Sequence, residues 1–129
     1  MIGTVRPAED ADFEAILRLY QEVDDLHLRL ASDTFRQPEE PRRTREWLAG
    51  MVTNPDALLL VSEIDGVIVG LVEAIVGETK PLPILVHKRF VTVYNLAVSL
   101  EYRRRGEGRA LMEAVREWAR EQGAAEIRL

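Results

Sequence analysis

Two rhythms of apolar positions divide this chain, and the change between them falls near Ala57. Before it, Phe13, Ile16, Leu17, Tyr20, Val23, His27 and Leu30 recur at i, i+3, i+4 and i+7, the stripe of a half-buried helix. That spacing predicts a helix from Ala11 to about Leu30, with Asp10 as the N-cap that accepts its first free N–H groups. Ser32 to Pro41 reads as loop. A second helix, about Thr44 to Val52, stops before Asn54-Pro55, because the residue ahead of a proline avoids helical angles. Ile2 to Val5, closed by Arg6-Pro7, is a short strand.

From Ala57 the apolar residues run together. Ala57–Ile64 and Val67–Val76 read as strands joined by Asp65-Gly66, a hairpin signal because a type I′ turn needs positive φ at both positions. Gly77 to Lys88 is loop, held open by Pro81 and Pro83, and Arg89 to Val98 is a further strand. A helix begins after Gly106, buries Leu111, Val115 and Trp118, and closes at Gly123. A last strand starts at Glu126. The order β-α-α-β-β-β-α-β, with no repeat and no long linker, predicts an α/β (α+β) fold and one domain over residues 1–129.

Composition narrows the functional classes. With 47% apolar and 30% charged residues the chain is ordinary for a globular domain. No apolar run approaches the roughly 20 residues that span a bilayer, and the N-terminus lacks a signal-peptide pattern. There is no cysteine, which excludes disulfides, thiolate metal sites and cysteine nucleophiles. Two histidines, His27 and His87, make a poor basis for a zinc site, so no metal is expected. These features favour a cytoplasmic protein. The net charge of −5 argues against a nucleic-acid partner, and the one dense basic run, Arg103-Arg104-Arg105, suits a small anion.

That run lies between the strand ending Leu96-Ala97-Val98 and the helix that follows Gly106-Glu107-Gly108-Arg109-Ala110. A strand, a glycine-bearing turn and a helix N-terminus together offer free N–H groups, a positive dipole end and room for phosphate oxygens. Two familiar phosphate motifs are absent. No Gly-x4-Gly-Lys-Ser/Thr run occurs, and Leu111 stands where a dinucleotide fingerprint needs its third glycine. A solvated arginine turn at an ordinary helix start remains the plain alternative.

The pattern Arg103-x-x-Gly106-x-Gly108, behind Leu96-Ala97-Val98 and within this element order, resembles the GNAT superfamily of acetyl-CoA-dependent N-acyltransferases. The motif of that family is Gln/Arg-x-x-Gly-x-Gly/Ala. The resemblance implies a central mixed, mostly antiparallel sheet flanked by helices, with acetyl-CoA as cofactor. It implies that Arg103, Arg104, Arg105, Gly106, Glu107, Gly108, Arg109 and Ala110 hold the diphosphate, and that Leu96, Ala97 and Val98 pair with the pantetheine arm. The implied reaction is aminolysis of a thioester, in a ternary complex, on a small-molecule or peptide amine.

The amine attacks as free base. For a lysine-like ammonium near pKa about 10.4, deprotonation at pH 7 costs roughly 4–5 kcal/mol, against about 1 kcal/mol for an α-amino group. Some relatives carry a glutamate in the strand before the motif; Thr92 occupies that position here. Glu73 shares a strand face with Val69, Leu71 and Ile75 by alternation, and a carboxylate among apolar neighbours is a candidate general base. A strand-edge glutamate beside water is the plainer reading. Tyr94 shares the alternation face of Thr92 and Leu96 and is a second catalytic candidate, to position the amine or relay a proton; a rim tyrosine is its plainer reading. His87 is a surface histidine or a base. Asp24 and Asp25 are a solvated helix face or an attractor for a cationic amine.

Relatives continue beyond the strand at Glu126 with a helix and two strands, so the resemblance presents the domain as C-terminally incomplete. Three expectations follow: a truncated form of a longer enzyme, a homo-oligomer that completes the sheet through an open edge, or a CoA-binding module without turnover.

Overall fold

The computed structural model describes residues 2–31, 33, 34, 36 and 42–129. Among them, five strands form one sheet in chain order: β1 (Thr4–Pro7), β2 (Ala57–Ile64), β3 (Val67–Glu78), β4 (Arg89–Val98) and β5 (Glu126–Arg128). All neighbours are antiparallel except β4 and β5, which are parallel. Helices α1 (Phe13–Leu30) and α2 (Arg45–Thr53) cover one face, and α3 (Glu107–Glu121) covers the other. This is the mixed α/β, mostly antiparallel arrangement that the family resemblance implies. No helix among the described residues is long and apolar enough to cross a membrane.

The uninterrupted apolar runs of β2 and β3 are explained by burial on both faces. Leu59, Val61 and Leu71 pack with Ile16, Leu19 and Tyr20 of α1 and Leu48 of α2. Their neighbours Leu60, Val72, Ala74 and Val76 pack with Leu111, Val115 and Ala119 of α3. The hairpin between them has positive φ at Asp65 (49°) and Gly66 (80°), as a type I′ turn requires.

Several boundaries differ from expectation. β1 runs on through Arg6 and Pro7, paired with Val61 and Leu60, because an edge strand can spare the N–H that proline lacks. Asp10 does not cap α1. Residues Asp10–Asp12 form a 3-10 turn, in which the Asp12 carboxylate accepts the Glu9 N–H at 2.8 Å and the Arg6 guanidinium at 2.8 and 2.9 Å. Asp10 instead takes Arg45 at 3.0 Å. On α1 the buried stripe includes Leu19, and Leu30 is 76% exposed. On α3 Ala119 is buried in place of Trp118, whose indole packs half-buried at the rim. The loop over Ser32–Pro41 lies largely outside the described residues.

β4 departs from strict alternation. Glu73 pairs with Asn95 and Ala74 with Val93, so Tyr94 has no partner in β3. One extra residue forms a β-bulge. Val91 and Val93 before it pack toward α3, whereas Ala97 after it packs toward α1. Tyr94 therefore does not share one face with both Thr92 and Leu96, which corrects the alternation reading.

Candidate functional site

Two cavities border β4. The larger, about 690 Å³, opens at the start of α3 and is lined by the turn from Tyr102 to Arg104, by residues Gly106–Ala110, and by Val98 and Ile2. Gly106 is the N-cap of α3 with φ 89° and ψ 6°, a left-handed geometry, and no side chain caps the helix there. Ala110 is the first α3 residue whose N–H reaches a helical acceptor, the Gly106 carbonyl at 3.0 Å. The amides of Glu107, Gly108 and Arg109 lie ahead of that first bond, without an intrahelical acceptor. A left-handed residue followed by a helical one makes their N–H groups converge, which is the geometry of an anion nest. A Cβ at Gly108 would meet only Leu96 Cδ2, at 4.0 Å, so the glycine keeps the approach to those amides open.

The side chains of this turn divide their work. Arg103 Nε donates to the Val98 carbonyl at 2.9 Å and pins the turn to β4. Arg105 lies over the Tyr102 ring at 5.4 Å, and Arg104 (φ 65°) and Arg109 line the cavity. Glu107 differs from its neighbours: it is 1% exposed and its carboxylate points back into the fold. There it accepts the Gly3 N–H at 2.6 Å and a short hydrogen bond from the Ser62 hydroxyl. Only the Glu107 amide is left to face a ligand.

The strand edge beside the turn is partly open. β5 pairs with β4 only at Phe90, Val91 and Thr92, so Val93 to Val98 have no outer strand partner among the described residues. The Ser99 N–H donates inward to Val69 at 2.8 Å, so by alternation the backbone groups of Ala97 also face β3. Those of Leu96 and Val98 face outward. Of the three residues expected to offer a free edge, Leu96 does so, Val98 offers its N–H while its carbonyl is held by Arg103, and Ala97 is committed to the sheet.

The smaller cavity, about 280 Å³, lies on the α1/α2 side of the same strand and is lined by Arg42, Arg43, Trp47, Glu73, Tyr94 and Asn95. Asn95 of this cavity and Val98 of the larger one are three residues apart, about 10 Å along the strand. Glu73 Oε1 accepts two hydrogen bonds, from the Tyr20 hydroxyl at 2.5 Å and from Asn95 Nδ2 at 2.9 Å. Both fall on one oxygen, which leaves Oε2 to serve the cavity. Burial, then the charge and hydrogen bond of Glu73, push the Tyr20 hydroxyl well above the usual phenol range, so it stays a proton donor. The Arg43 guanidinium stacks 3.6 Å over the Tyr20 ring and reaches Asp24 at 3.4 Å. Tyr94, 59% exposed, stands on the bulge at the cavity wall.

The structure thus brings Glu73 and Tyr94 to one cavity and the Arg103–Ala110 turn to the other, except Arg105, which lies over the Tyr102 ring and does not line it. Asp24 is engaged by Arg42 and Arg43, Asp25 accepts from Gln21 at 2.7 Å, and His87 lies 3.4 Å from Glu78 on an exposed loop. Tyr20, Asn95, Arg42 and Arg43 escaped the sequence reading. A tyrosine in an apolar stripe was a usable signal, since a buried hydroxyl seeks a partner. Asn95 becomes a partner of Glu73 only through the bulged register.

The acetyltransferase (GNAT) family model matches residues 18–129 of the chain. No curated protein is similar enough in sequence to match. Among solved structures, a mutant of the BH1408 protein from Bacillus halodurans superposes with a TM-score of 0.90 at 24% identity, covering 98% of this chain and 80% of that one. An acetyltransferase from Vibrio fischeri has a TM-score of 0.77 at 22% identity, over 96% of this chain and 92% of its own. An aminoglycoside N-acetyltransferase in complex with CoA has a TM-score of 0.69 at 16% identity, over 96% and 75%. At these identities the likeness is one of fold.

Proposed function

The chain belongs to the acetyltransferase (GNAT) family, and from that premise we propose that it moves an acetyl group from acetyl-CoA to a primary amine, by direct attack in a ternary complex. The observation that carries this reading is the pair of cavities bordering β4, with uncapped amides at one beside Val98 and the Glu73 carboxylate of β3 at the other beside Asn95, three residues along the strand. The donor set fits a diphosphate: the N–H groups of Glu107, Gly108 and Arg109, with the Arg104 and Arg109 side chains close by. Bound there, acetyl-CoA would supply an acyl carbon activated as a thioester, with the CoA thiolate as leaving group, which takes a proton from water to become the thiol.

The residues of the chain do the rest. Glu73 Oε2 takes the proton that the amine sheds, while Tyr20 and Asn95 hold the carboxylate by its other oxygen. The outward N–H of Leu96 donates to the acyl oxygen as negative charge builds on it. Tyr94 positions the amine at the bulge and relays a proton through water. Leu96 and the Val98 N–H offer the strand edge to the pantetheine arm. With no cysteine in the chain, a cysteine-bound acyl intermediate has no place in the scheme.

Titration calorimetry with acetyl-CoA tests the cofactor half of this reading. Gly108 has ordinary helical geometry and open space, so Gly108→Leu should fold as well as the parent and still lose about tenfold or more in affinity. Unchanged affinity would remove the diphosphate from this turn.

A further inference from the structure

We propose that the acceptor is an amine that also carries a carboxylate a few bonds away, a small amino acid, and that Arg42 and Arg43 read the carboxylate. The inference rests on the transferase reading and refines its substrate class. The walls of the Glu73 cavity hold two guanidiniums against one carboxylate. Asp24, which does not line the cavity, already pairs with both guanidiniums at 3.6 and 3.4 Å, so what remains for a ligand is the arginine N–H groups that face the cavity. A polycationic acceptor would meet them on entering, and an amine without a carboxylate would leave them unused. An amino acid satisfies both signs at once.

The geometry sets the scale of the ligand. Tyr20 touches both poles: its hydroxyl bonds Glu73, and the Arg43 guanidinium stacks on its ring at 3.6 Å. The positive and negative walls therefore stand one phenol ring apart. The Arg43 side chain is only 15% exposed, wedged between Tyr20 and Asp24, and so is ordered before any ligand arrives. A planar, preorganised guanidinium is suited to a carboxylate, which it can grip with two parallel N–H groups. The Arg42 side chain, 60% exposed and 3.6 Å from Asp24, adds a second positive charge at the mouth. A cavity of about 280 Å³ admits a compact ligand of this kind. In the reaction the amino nitrogen forms the C–N bond as the thioester C–S bond breaks, its proton passes to Glu73, and the carboxylate stays on the arginines unchanged.

The test compares acids with their own amides. Release of the CoA thiol is followed with each common L-amino acid, with the matching carboxamide, and with spermidine as polycation. The carboxamide has the less basic amine and holds more free base at neutral pH, so intrinsic chemistry favours the amide. We expect the best acid to exceed its amide by about tenfold or more in kcat/KM, the range of one or more charged hydrogen bonds. Arg42→Gln and Arg43→Gln should each shrink that ratio, through KM for the acid, with KM for acetyl-CoA unmoved. Calorimetric binding of the best acid to the CoA-loaded protein should weaken in parallel. Arg42 is exposed, so its variant decides the matter even if Arg43→Gln disturbs the packing on Tyr20. Equal turnover of acid and amide, a preference for spermidine, or a ratio untouched by either variant overturns the amino-acid assignment and leaves the transferase standing. No thiol release with any acceptor overturns the transferase itself, and the assignment with it.

Discussion

At the scale of single residues, Glu73 is the side chain whose role is most exposed to experiment. A general base contributes about 10²–10⁴-fold. Glu73→Gln keeps a side chain of the same shape beside Tyr20 and Asn95 but cannot take up the amine proton. Its kcat/KM should fall by about 10²-fold near pH 7 and recover as pH rises and the amine loses its proton unaided. Parallel pH–rate profiles for variant and parent would clear Glu73 of the role. Glu73 was legible as a carboxylate on an apolar strand face. Its partners were not, because Tyr20 and Asn95 come from positions 53 residues before it and 22 after it, joined only by the packing of α1 on β3 and by the bulged register.

At the scale of elements, the start of α3 does two opposed things with adjacent residues. Gly108 leaves the amides bare, while Glu107 ties the same turn to Gly3, just ahead of β1, and to Ser62 of β2. An acidic residue in the first turn of a helix reads from sequence as a surface complement to the dipole. Here it is a buried tie, and nothing in the spacing of residues 3, 62 and 107 foretold that. Glu107→Ala should therefore strand a buried N–H and a hydroxyl and cost about 2–4 kcal/mol in urea unfolding. A loss below about 0.5 kcal/mol, the level of an ordinary surface change, would contradict the tie. The hairpin at Asp65-Gly66 and the stop before Pro55 were readable because both depend on two adjacent residues alone. The bulge at Tyr94 was hidden because it depends on the neighbouring strand.

At the scale of the whole molecule, the Arg6–Asp12 pair joins β1 to the entrance of α1, and Arg6 Nε also reaches Glu63 of β2 at 2.9 Å. The Arg6 hydrogen bond and charge, with the Glu9 amide, hold the Asp12 carboxyl below the usual aspartate value despite its burial. The folded chain thus binds fewer protons than the unfolded one as acid is added. The stabilisation is complete at neutral pH, begins to fade near the unfolded aspartate pKa of about 3.9, and is lost as pH falls through the lower folded value. Asp12→Asn should lower stability by about 1–3 kcal/mol at pH 7. It should also flatten the loss of thermal stability between about pH 5 and pH 2, to roughly the extent of that deficit. Thermal melts across that range check both; equal slopes for the two proteins would deny the linkage. The layering of helices on either side of the sheet was implied by the family resemblance; its physical reason is that β2 and β3 are apolar at consecutive positions, which a strand covered on both faces can bury.

The unpaired tyrosine of β4 has a consequence of its own. If Tyr94 were subtracted, Val93 and Asn95 would become neighbours that already look in opposite directions and already have consecutive partners, Ala74 and Glu73. The ladder would close into a plainer strand, with both hydrophobic interiors untouched. Under the proposed function, the extra residue is what brings a phenol to the hollow that Glu73 and Asn95 line.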